Sequence, residues 1–120
     1  MRKFSLTAIA RHRLDHARHA PSGRSAETVV GGHEHALRHT LVALASGARM
    51  SVHHIDAEAT VCVLSGRVRL KVGPHRWDAR TGDLLTLSAP PDARLEAVEE
   101  SAVLLTVVIT LAHTWPGLPR

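Results

Sequence analysis

Aromatic residues are nearly missing from this sequence: it has no tyrosine, one phenylalanine and two tryptophans in 120 residues. No strand is rich in the ring side chains on which nucleic-acid bases stack. Cysteine is as scarce. Cys62 is the single one, which removes any intrachain disulfide framework and any Cys-His finger, and fits a reducing, cytoplasmic setting. Long hydrophobic runs are absent too. The longest, AVLLTVVITLA at residues 102–112, is about half of what a membrane-spanning helix needs. The opening MRKFSLTAIARHRLDHARHA is basic, as export signals are, but Arg11 breaks the apolar block that should follow. No export signal is read, and a soluble protein without a membrane partner is expected. The length suits one domain.

What is present is charge, unevenly spread. Residues 1–24 hold Arg2, Lys3, Arg11, Arg13, Arg18 and Arg24 against Asp15 alone, whereas the remainder has nine basic and ten acidic residues. A basic segment ahead of a nearly neutral body reads as solvated rather than as a nucleic-acid surface, because nothing else in the sequence accompanies it. Nucleic acid is not an expected partner.

Residues 5–20 have helical spacing, with Ser5 as cap, Leu6, Ile9, Ala10, Leu14 and Ala17 on one side, and Pro21 and Gly23 as stops. His12, His16 and His19 share another face. Residues 21–32, small and polar with two closing glycines, read as a linker. Beyond them the period changes from 3.6 to 2. Strands are expected at 39–45, 49–54, 59–64, 67–72, 75–79, 84–87, 94–98 and 102–109, separated by Ser46-Gly47, Ser65-Gly66, Gly73-Pro74, Thr81-Gly82-Asp83 and Ala89-Pro90-Pro91-Asp92. RVRLKV alternates most clearly, with Val68, Leu70 and Val72 inward and Arg67, Arg69 and Lys71 outward, where charge discourages edge aggregation. Eight short strands without interleaved helices argue an all-β sandwich or barrel.

Gly47, five residues, His53, then ATVCVLSGRVRL through Gly66, and later a tryptophan strand leading to GDLLTL, resemble a small single-domain cupin. The resemblance covers roughly residues 37–110. It implies a cupin-like double-stranded β-helix, or jelly-roll barrel, with a short N-terminal helix. The expected division is a basic helical arm and the start of a linker over 1–24, then a cupin-like β-barrel domain with a short tail over 25–120. It also implies a homodimer. Of the four metal ligands usual in the family, the first falls on His53; the others fall on Ile55, Ala59 and a position near Ala93. Most of the ligand set is therefore missing, and no cofactor is expected. A rebuilt site for a divalent first-row metal (Fe, Mn, Zn or Ni) stays open, using His53 or His54 with Glu58 or His39. As an ordinary alternative, Glu58 is a solvated turn carboxylate, Trp77 covers one end of a core, and Cys62 is a small buried hydrophobe.

In the inward frame of His53, residues Ile55, Ala59, Val61 and Val63, with Leu84 or Leu85, Leu87 and Trp77, describe an apolar pocket holding one polar group. The ligand expected is small and hydrophobic or aromatic. Three functions follow. The first is a small-molecule-binding or accessory protein. The second is an enzyme: a metal-free isomerase, cyclase or dehydratase with His53 as catalytic acid or base, or a metal-dependent oxygenase. The third is a regulatory module acting through the basic N-terminus.

Overall fold

Alternation of apolar and polar residues decides this architecture, because each strand has one face to bury. The computed structural model describes residues 1–32, 35–52, 57–88 and 92–109. Among these, helix α1 (Leu6–His19) precedes nine strands: β1 (Arg24–Val30), β2 (Leu37–Leu44), β3 (Arg49–Val52), β4 (Ala57–Ser65), β5 (Arg67–Val72), β6 (His75–Arg80), β7 (Leu84–Ser88), β8 (Ala93–Ala97) and β9 (Ser101–Ile109). They form a five-stranded sheet ordered β1-β2-β9-β4-β7 and a four-stranded sheet ordered β3-β8-β5-β6, with all pairings antiparallel. Each predicted strand is present to within a few residues. The segment read as a linker is different: Arg24–Val30 pairs with β2 along its length. Edge strands need only one partner, so a polar sequence with Val29 as its anchor beneath α1 suffices.

The inner faces of the two sheets share one core, built from Val42 and Leu44 of β2, Val61 and Val63 of β4, Val68 and Leu70 of β5, and Leu95 and Val103 of β8 and β9. A second, smaller cluster lies outside the larger sheet. There Ala10, Leu6, Ile9 and Leu14 of α1 cover Leu41, Ala102, Leu104, Leu64 and Val29. Ser5 caps the helix, its hydroxyl accepting the Ala8 amide at 3.2 Å. The helix is thus packed on the sheet rather than projecting from it.

Arg18 of α1 grips Glu100, ahead of β9, with two hydrogen bonds, one of them from Nη2 to Oε2 at 3.0 Å. These bonds hold the Glu100 carboxyl below the usual carboxylate range, against a smaller opposing effect of burial. A carboxyl depressed in the folded state adds stability that is complete above its unfolded pKa, about 4.3, and fades as pH falls through the lower folded value. Urea unfolding from neutral to acidic pH should therefore show a shallower acid limb in Glu100→Gln; a limb identical to that of the parent would exclude the linkage.

The outer face of the four-stranded sheet contains the most segregated chemistry of the chain. β5 turns Arg67, Arg69 and Lys71 outward between the buried Val68 and Leu70, and β6 turns Arg76 and Arg80 outward around the buried Ala79. Arg49 of β3 and Arg94 of β8 join them. Among the described strand residues, two carboxylates share the face: Asp78 meets Arg67 and Arg69 at 3.3 and 3.0 Å, and Glu96 meets Arg49 and Lys71 at 3.4 and 4.0 Å. The two arginines hold the Asp78 carboxyl below its usual range. Register also puts like charges opposite each other, as Arg67 faces Arg80 and Lys71 faces both Arg76 and Arg94. Such pairs oppose folding by a few tenths to about 1 kcal/mol each.

Candidate functional site

Strand alternation fixes what can enter the barrel. On β4, Ala59, Val61 and Val63 point inward and are at most 7% exposed, while Glu58, Thr60 and Cys62 take the opposite face. Val61 and Val63 thus belong to the packed core, and Ala59, also in it, borders a pocket of about 290 Å³ with Glu58, Thr60, Thr86, Leu87, Thr106 and Val108. His53, His54 and Ile55 lie outside the described residues.

The two positions to which the family resemblance assigns a glutamate and a third histidine hold alanines, and both are buried: Ala59 packs in the same cluster as Leu87 and Val107, and Ala93, 1% exposed, with Val52 and Leu95. Glu58 is exposed on the outer face of the larger sheet, opposite Val108 and Ser88. His39 has the parity of Leu41, which lies under α1, and so also faces outward, its Nδ1 2.8 Å from the Thr106 hydroxyl. Neither side chain turns into the barrel, so the interior metal site that sequence spacing left open does not gain Glu58 or His39. Among the described residues, no three His, Cys, Asp or Glu side chains converge as a metal would need, and the described residues do not fit an interior metal.

An open cavity does exist where the sheets part. β6 and β7 are the free edges of the two sheets, and between them lies a cleft of about 390 Å³ lined by Leu70, Val72, Trp77 and Leu84–Leu87. Trp77 is 47% exposed although it occupies an inward position, opposite Leu70. Its ring leans on His75, with centroids 5.7 Å apart. Leu85 and Leu87 face the core, while Leu84 is exposed at the rim. Trp77 and Leu87 therefore come together as the sequence suggests, but in a seam rather than in the middle of the barrel. At the other seam, where β1 meets β3, Arg24, Arg49, Met50, Ser51 and Arg94 line a groove of about 150 Å³. Sequence reasoning missed this groove because its residues come from three strands, one of them the unrecognised β1.

α1 leaves part of the larger sheet uncovered, where Leu37 and Val108 are exposed. No helix among the described residues is long and apolar enough to cross a membrane.

No protein-family model and no curated protein matches the sequence. Solved structures do. A cupin superfamily protein of Desulfitobacterium hafniense superposes with a TM-score of 0.66 at 12% identity, over 72% of this chain and 78% of its own. KdgF from a Halomonas species gives 0.66 at 15%, over 80% and 88%. The cupin domain of Schizosaccharomyces pombe Cnp3 gives 0.67 at 11%, over 81% and 73%. Identities this low speak for the fold alone: the chain has the jelly-roll fold of small cupins.

Proposed function

We propose that this cupin-fold chain is a binding or accessory protein that takes a small apolar or aromatic molecule into the cleft between β6 and β7. The observation that carries the reading is Trp77, an indole left half-exposed beside an apolar cleft although its strand position faces inward. Exposing a large ring beside leucine side chains is unfavourable in water unless something covers it. The cleft volume lies near the lower end of small-molecule sites, which sets the ligand at about the size of a bicyclic aromatic. The cleft's side chains are apolar apart from Thr86 and carry no charge, so sugar phosphates would find no cation to pair with there.

The probe of choice is 2-naphthol, followed by calorimetry, with indole fluorescence in a Trp115→Phe background as a second readout where Trp77 is kept. Saturable one-to-one binding is expected. Trp77→Ala should weaken it at least about tenfold, equivalent to about 1.4 kcal/mol, with a melting temperature close to that of the parent. Equal affinity in Trp77→Ala, or no saturable binding, would remove the reading.

A further inference from the structure

Seven of the nine basic residues that follow Arg24 occupy the outer face of the four-stranded sheet, together with two of the ten carboxylates. Ion pairs with these two carboxylates offset only part of this charge. Arg69 lies opposite both carboxylates, Asp78 and Glu96, but Arg67 faces Arg80 and Lys71 faces Arg76 and Arg94, pairs that oppose folding, and most of the described acidic residues lie elsewhere. We infer that this face, with the groove of Arg24, Arg49 and Arg94 at its edge, binds the phosphate backbone of double-stranded nucleic acid.

Several observations select that partner. Six of the seven cations are arginines, whose planar guanidinium matches phosphate oxygens in pairs. The groove is lined by Arg24, Arg49 and Arg94 with Met50 and Ser51, around a space of about 150 Å³, a seat of anion size. Apart from Met50 in the groove, no apolar side chain alternates onto the described face, so it lacks the aromatic and aliphatic anchors that centre a protein-protein hot spot and the wedge that a membrane surface takes up. No aromatic side chain lies on it either. Unpaired bases would find nothing to stack on, which favours a duplex read through its backbone without regard to sequence. The basic helix α1 covers the outside of the other sheet and takes no part.

The test is fluorescence anisotropy with a labelled DNA duplex of about 20 base pairs and arbitrary sequence, titrated between about 50 and 200 mM salt. Binding at low salt is expected, with log K falling linearly against log salt. Lys71→Glu places a carboxylate between Arg76 and Arg94, replacing two repulsive pairs by attractive ones. It also turns the Lys71–Glu96 pair into a like-charge contact, so the melting temperature should stay close to the parent's, while the duplex is bound at least tenfold more weakly and the salt slope falls by one to two. Arg49→Gln with Arg94→Gln should weaken binding similarly through the groove. Arg11→Gln on α1 should leave it unchanged. The inference fails if the parent does not bind at low salt, if Lys71→Glu binds as the parent does, or if Arg11→Gln weakens binding as much. It also fails if poly-glutamate or anionic phospholipid vesicles bind as tightly as the duplex, since the face would then be a general anion surface.

Discussion

Replacing Gly66 by alanine should abolish the native fold at ordinary temperatures or lower its melting temperature by more than about 10 °C. Gly66 joins β4 to β5 with φ of +90°, a backbone conformation that residues with a Cβ rarely adopt. Space is the second obstacle. A Cβ there would collide with the Glu100 carbonyl and the Ser101 hydroxyl and lie 2.8 Å from Ser101 Cα. Two of these are backbone atoms, which cannot move aside as the end of a flexible side chain can. Ser101 is itself fully buried, accepting the Arg67 amide at 3.0 Å and donating to the Glu99 carbonyl at 2.7 Å. Displacing it would leave buried polar groups without partners. Strain at the turn and overpacking each cost about 1–3 kcal/mol, a large share of the 5–15 kcal/mol that holds a domain together. Circular dichroism melting of Gly66→Ala against Gly47→Ala is the measurement. Gly47 also has positive φ, but a Cβ there meets nothing within 4 Å. Equal losses in the two variants would show that dihedral strain alone, and not the close approach, makes Gly66 necessary.

Gly66 is also where sequence reasoning was strongest. Ser65-Gly66 between ATVCVL and RVRLKV marks a tight turn between two strands of clear alternation, and β4 and β5 flank it as expected. Elsewhere the local pattern underdetermines the result. β1 escaped notice because RSAETVV has the composition of a linker, and its pairing with β2 comes from position at the sheet edge. His39 and Glu58 could be placed only with the strand parity known, and parity follows from which neighbours are buried. The cleft at Trp77 depends on two edge strands from different sheets meeting, which no spacing along one segment expresses. The charge of the body is the clearest case. Summed, nine cations and ten carboxylates are almost neutral; sorted by the alternation of β3, β5, β6 and β8, they separate into a strongly basic face and an acidic remainder.

Leu41→Ala should cost about 2–5 kcal/mol, and this decides whether α1 is a detachable arm or part of the folded unit. Leu41 is fully buried, yet it points away from the barrel core, into the cluster beneath α1 with Ala10 and Ala102. Leu37 lies on the same face of the same strand one helix-width away, where it is exposed. Leu37→Ala should therefore shift the urea midpoint little, although the chemical change is the same. The contrast between the two isolates what the helix covers. Removing residues 1–19 exposes Leu41, Leu104 and Leu64 to water together, and also deletes Arg18, the partner of Glu100. The shortened chain should melt lower than Leu41→Ala and associate as it does so, since a contiguous apolar patch is uncovered. Unfolding followed by both circular dichroism and light scattering would record this. If the shortened chain and Leu41→Ala both unfold at the parent's midpoint, the contacts of α1 add nothing to stability. In that case the basic helix is free to leave the sheet and act elsewhere.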